Sequence, residues 1–129
     1  MEPNTAAAEP VLTIADAARE TGVSVHTLRY YERAGLIDDV DRASSGHRRY
    51  SEADLSWIET LRCLRATGMP IARIRRYAEL VRAGTGTEGE RLALLEEHRA
   101  AVRAELAEVR EHLAFVERKI TIYKERLDE

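Results

Sequence analysis

Between Ser24 and Leu36, the residues His26, Arg29, Tyr30 and Arg33 recur at spacings of three and four, so on a helix they share one face. Leu28 and Tyr31 fall on the opposite, inward face. The outer face carries imidazole, guanidinium and phenol groups, which can read base edges or grip phosphates when a helix enters a DNA major groove. Thr27 adds a hydroxyl suited to phosphate. Spacing alone would fit an ordinary solvated face equally well. A second basic pair, Arg48 and Arg49, follows Ser44-Ser45-Gly46 and precedes Tyr50. On a hairpin it would project two guanidinium groups toward flanking phosphates, with Tyr50 counted among the DNA-binding residues and buttressing the hairpin from inside. Arg73, Arg75 and Arg76 cluster near the first turn of a later helix, whose free N–H groups could also hold phosphate. For Arg75 and Arg76 a solvated basic face is the plainer reading.

The chain has one cysteine, Cys63, which excludes an internal disulfide and a cysteine-rich zinc site. On a helix with Trp57, Ile58, Leu61 and Leu64 as its buried stripe, Cys63 points away from the core. Ser56, Glu59 and Thr67 are its neighbours on that side, and Arg62 is adjacent. Such a thiol is either inert or a reactive sensor. His98, Glu105 and His112 repeat every seven residues, about 10 Å apart on a helix, too far for one chain to chelate a metal. They read as solvated flanking residues, and neither metal nor cofactor is expected. No Ser-His-Asp pattern, phosphate-binding glycine loop or dense carboxylate cluster appears, so an enzyme is the weakest reading.

The elements that must position these groups follow from caps and breakers. Thr13 with Asp16 resembles a capping box, opening a helix to about Thr21 that buries Ile14, Ala17 and Ala18 and is broken by Gly22. Ser24 caps a second helix to Ala34, and Gly35 ends it. The pair makes a helix-turn-helix. Residues 38–50 read as a small hairpin wing. Ser51 caps a third helix closed by Gly68, and Pro70 begins a fourth reaching about Ala83. From Glu88 the spacing predicts one helix to the end of the chain. Its core stripe is Leu92, Leu95, Arg99, Val102, Leu106, Val109, Leu113, Val116, Ile120, Tyr123 and Leu127, alternating three and four over five heptads. Arg99 sets register. At ~1.5 Å per residue this helix is roughly 60 Å long, and no partner of matching length exists in the chain, so a second copy is expected to supply it.

The fold class expected is therefore mainly α: a winged helix-turn-helix head with a small β-hairpin wing, followed by a long C-terminal dimerisation helix. The divisions are an N-terminal arm at 1–11 without order, a DNA-binding domain at 12–83, a hinge at 84–87 and a coiled coil at 88–129. With 129 residues there is no room for a large enzymatic cleft. A net charge of -3 disfavours nucleic acid only superficially, because residues 13–83 hold 12 Lys+Arg against 10 Asp+Glu while residues 84–129 hold 8 against 11. The head is the basic end. No 18-residue apolar run and no leader-like segment occur, so a cytoplasmic location without membrane contact is expected.

These residues also carry a family resemblance. SVHTLRYYERAGL at Ser24 to Leu36 and GHRRY at Gly46 to Tyr50 resemble the recognition helix and wing of the MerR family, and GMPIARI at Gly68 to Ile74 resembles its second wing element. The resemblance implies a homodimer joined by an antiparallel coiled coil and bound to a pseudo-palindromic promoter operator. It further implies activation by distorting that DNA so that RNA polymerase engages it. Arg29, Tyr30 and Arg48 match the family's contact positions. WIETLRCLRATGMPI at Trp57 to Ile71 and KITIY at Lys119 to Tyr123 resemble the single-cysteine NmlR or AdhR type, which responds to aldehydes and to nitrosative or thiol stress. That implies a reactive small-molecule effector acting at Cys63. The alternative is an effector-less architectural or repressor protein in which Cys63 is structural.

Overall fold

The computed structural model describes residues 12–37 and 49–129, which fall into five helices: α1 (Ile14–Thr21), α2 (Val25–Arg33), α3 (Glu52–Ala66), α4 (Ile71–Ala83) and α5 (Glu88–Asp128). The expected hairpin wing and Arg48 lie outside the described residues, as does the N-terminal arm. The chain divides into two units, one through Thr87 and one from Glu88.

In the first unit, every helix boundary is written in local chemistry. Thr13 and Asp16 form a capping box, the Asp16 amide donating to the Thr13 hydroxyl at 3.2 Å and the Thr13 amide to the Asp16 carboxylate. Ser51 and Asp54 repeat the device at α3, with the Ser51 amide donating to the Asp54 carboxylate at 2.9 Å. At α2 the Thr27 amide donates to Ser24 Oγ at 3.0 Å. The far ends of α2 and α3 are both Schellman motifs. The Leu36 amide bonds Tyr31 O and the Gly35 amide bonds Glu32 O; the Met69 amide bonds Leu64 O and the Gly68 amide bonds Arg65 O. Gly35 has φ +78, a left-handed conformation that a side chain would strain.

The core of this unit is formed by Ala17, Leu28, Tyr31, Leu36, Ile58, Leu61, Met69 and Ile74, all buried. Tyr50 joins them. Its backbone pairs in both directions with Leu12 at 2.7 and 2.9 Å, tying the segment before α1 to the end of the wing region. Thr21 is a buried polar residue at the helix-turn-helix corner. Its hydroxyl donates to Ala17 O at 2.8 Å and accepts from the Val23 amide at 3.3 Å, so burial leaves it bonded on both sides. The expected α3 stripe needs one correction. Ile58, Leu61 and Leu64 are buried, whereas Trp57 is half-buried, its indole N–H donating to Leu36 O and its ring stacking on Tyr77.

The second unit is α5 alone, 41 residues long. Leu92 and every apolar stripe residue from Leu106 to Leu127 are exposed, while Leu95 and Val102 are half-buried. Phe115 lies off the stripe and is also exposed, with the charges of Arg118 and Lys119 standing 5.6 and 5.7 Å from its ring centre. No helix among the described residues is long and apolar enough to cross a membrane.

The caps give a direct test. Ser51→Ala removes the α3 cap and should lower unfolding free energy by about 1 kcal/mol in urea titration. Gly35→Ala should cost about 1–2 kcal/mol, because alanine must take up the left-handed conformation.

Candidate nucleic-acid interface

The helix-turn-helix presents α2 as a two-faced element. Leu28 and Tyr31 are buried on one side, and His26, Arg29, Tyr30 and Arg33 are exposed on the other, Tyr30 at 38%. The Tyr30 ring is tilted 52° to that of Tyr31, with centroids 6.1 Å apart, so the outward phenol is braced by the inward one. Burial pushes the Tyr31 phenol above its ordinary 10.0, opposed by the Arg65 guanidinium and reinforced by Tyr30. It remains a neutral core residue. The Thr27 hydroxyl is engaged in the α2 cap, accepting from Ser24 Oγ at 2.9 Å, which leaves its own proton to donate outward.

Arg49 is exposed immediately before Tyr50. Tyr50 itself departs from the expectation that it contacts DNA. It is 0% exposed, so its ring is not presented to a phosphate. Arg73 is exposed in the first turn of α4. Arg75 is exposed, as a solvated face requires, and its Nε also donates to Ala34 O at 3.3 Å, at the end of α2. Arg82 donates likewise to Gly35 O. Sequence spacing offered no signal for these two contacts, because their acceptors are backbone carbonyls more than 40 positions away. Arg76 pairs with Glu79 at 3.5 Å on an exposed surface, an interaction worth little.

Cys63 is exposed on α3. Arg62, placed beside it in the sequence, reaches back to Glu59 at 3.7 Å. The Cys63 backbone carbonyl accepts from the Thr67 hydroxyl at 2.9 Å. Among the described residues no group of His, Cys, Asp and Glu is arranged to hold a metal ion. A cavity bordered by Leu36, Ile37, Trp57, Val81 and Arg82 has a volume of about 190 Å³. That falls short of the roughly 300 Å³ at which small-molecule sites begin.

Residues 12–80 match the family described as MerR HTH family regulatory protein, and residues 55–114 match a second, described as MerR, DNA binding. An uncharacterised HTH-type transcriptional regulator of Haemophilus influenzae is 39% identical over 112 residues, 87% of this chain and 83% of the relative. The HTH-type transcriptional regulator AdhR of Bacillus subtilis is 41% identical over 88 residues, 68% of this chain and 63% of the relative. Among solved structures, HiNmlR, a MerR family regulator lacking the sensor domain and bound to promoter DNA, superposes with a TM-score of 0.81. It is 38% identical, over 90% of this chain and 92% of that one.

Proposed function

Since the chain belongs to the MerR family of helix-turn-helix regulatory proteins and is a DNA-binding transcriptional regulator, we propose that it acts as a homodimer on a pseudo-palindromic promoter operator. The observation that carries the reading is the outer face of α2. His26, Arg29, Tyr30 and Arg33 are exposed together while Leu28 and Tyr31 anchor the helix behind them. Arg29 reads a base edge, and Thr27, Tyr30 and Arg33 hold phosphates. Arg48 and Arg49 in the wing, with Arg73 at the start of α4, extend the phosphate contacts to the flanks.

In this reading residues 12–83 form the DNA-binding domain, 84–87 a hinge, and 88–129 an antiparallel coiled coil with a second copy. The exposed apolar stripe of α5 supports the pairing, because apolar side chains at heptad spacing gain most when covered by an equal partner. The dimer activates by bending and untwisting its operator so that RNA polymerase engages both promoter elements, with energy stored in DNA shape.

Cys63 is the sensor in this reading. Its exposure on α3 admits an aldehyde or a nitrosating agent to the thiol, and the adduct alters the packing around α3. The similarity to AdhR and HiNmlR supports a regulator of this type.

Three outcomes are expected. Arg29→Ala should weaken operator binding by about 1–3 kcal/mol and relax specificity, whereas Arg48→Ala should weaken all duplexes alike and flatten the salt dependence. Unchanged binding in both variants refutes the docking. Aspartate at both Leu106 and Leu113 should give a monomer by sedimentation that no longer holds the operator, because a single half-site binds weakly. Intact-mass spectrometry after formaldehyde or S-nitrosothiol treatment should show a Cys63-dependent adduct that the Cys63→Ala variant lacks, with promoter transcription changing only in the wild type. An adduct without effect on transcription returns Cys63 to a structural role.

A further inference from the structure

The end of α2 is gripped by three side chains from outside the helix-turn-helix. Its last turn closes on Ala34, Gly35 and Leu36, whose amides are taken up by Tyr30 O, Glu32 O and Tyr31 O. The three carbonyls of the same residues point away from the helix and have no intrahelical donor to meet. Each receives a separate side chain. Arg75 Nε donates to Ala34 O at 3.3 Å, Arg82 Nη2 donates to Gly35 O, and Trp57 Nε1 donates to Leu36 O at 2.6 Å.

Two of these donors come from α4 and one from α3. Arg75 and Arg82 are seven residues apart, two helical turns, so both leave α4 on the same side. Trp57 is fixed in turn by stacking on Tyr77 of α4, with ring centres 5.8 Å apart and planes 20° from parallel. Two guanidinium charges at a helix C-terminus also complement the negative end of its dipole.

We propose that Trp57, Arg75 and Arg82 form a clamp that sets the angle of α2 against the α3–α4 pair. They are positioning residues for DNA recognition and do not contact DNA. The proposal rests on the reading of α2 as the DNA-contacting helix. Three bonds to three consecutive carbonyls define both the height and the rotation of the helix end, which a single contact could not do. Any displacement of α3 or α4 is thereby passed to Arg29 and Tyr30, one to two turns back along α2.

The test compares the wild type, an R75Q/R82Q double variant, and W57F, which keeps an aromatic ring to stack on Tyr77 but loses the indole donor. The first readout is amide hydrogen exchange, which needs no DNA. Exchange at Ala34, Gly35 and Leu36 should accelerate about tenfold in both variants while α1 amides keep their rates. The second readout is affinity for a duplex selected by the wild type from a randomised pool, against affinity for random duplex across a salt series. The selected-to-random ratio should fall about tenfold, with random-duplex affinity and salt slope unchanged. If the double variant does not fold, W57F carries both measurements.

Unchanged exchange at the α2 end overturns the clamp. A salt slope reduced by about 0.9 per arginine removed also overturns it, because it marks Arg75 and Arg82 as phosphate contacts. If the wild type selects no duplex, the sequence-specific reading fails while the exchange result still decides the clamp.

Discussion

The left-handed turn at Gly35 is the constraint on which the head of this molecule depends. It stops α2 after nine residues and returns the chain so that Leu36 can be buried along with Tyr31. The same turn leaves a run of backbone carbonyls without helical donors, and those that the core covers must be bonded. Side chains of α3 and α4 meet that need. The direction in which α2 presents its outer face therefore follows from a backbone requirement, and the basic residues of that face inherit their placement from it.

Much of this was legible in the sequence because the determinants are local. Thr13, Ser24 and Ser51 announce helix starts, and Gly22, Gly35 and Gly68 announce their ends, each through bonds to residues three to five positions away. The outward set on α2 was equally readable, since 3.6-residue periodicity assigns faces without any knowledge of neighbours. What sequence could not supply was the partner of a long polar side chain. Arg75 is exposed as its spacing suggests, yet its acceptor is a carbonyl 41 positions away, and Trp57 looked like core because its bonding indole edge is invisible to hydropathy. Tyr50 failed in the opposite sense. Its place in a basic motif suggested contact with DNA, but the ring is enclosed, while its neighbour Arg49 faces out.

The long helix poses a different physical problem. Its i,i+3 pairs, such as the exposed Arg99 with Glu96, contribute only a few tenths of a kcal/mol each. Helices of this kind draw most of their stability from covering an apolar face rather than from intrinsic propensity. The periodic stripe was plain in the sequence, whereas Phe115, which breaks the period, was not singled out. Arg118 and Lys119 give that exposed ring cation–π contacts, which offset part of the cost of leaving it in solvent.

The bonds of the head fall into two ranges of sequence separation. The caps close loops of at most five residues, whereas Leu12 with Tyr50, Trp57 with Leu36, and the two arginines with Ala34 and Gly35 close loops of 21 residues or more. Short loops close fastest, so the four head helices can nucleate independently before the longer connections lock them together. All of these residues precede α5 in the chain. Because synthesis runs from the N-terminus, both partners of each of these bonds are made before the long helix, so the bonds can form while that helix is still being made.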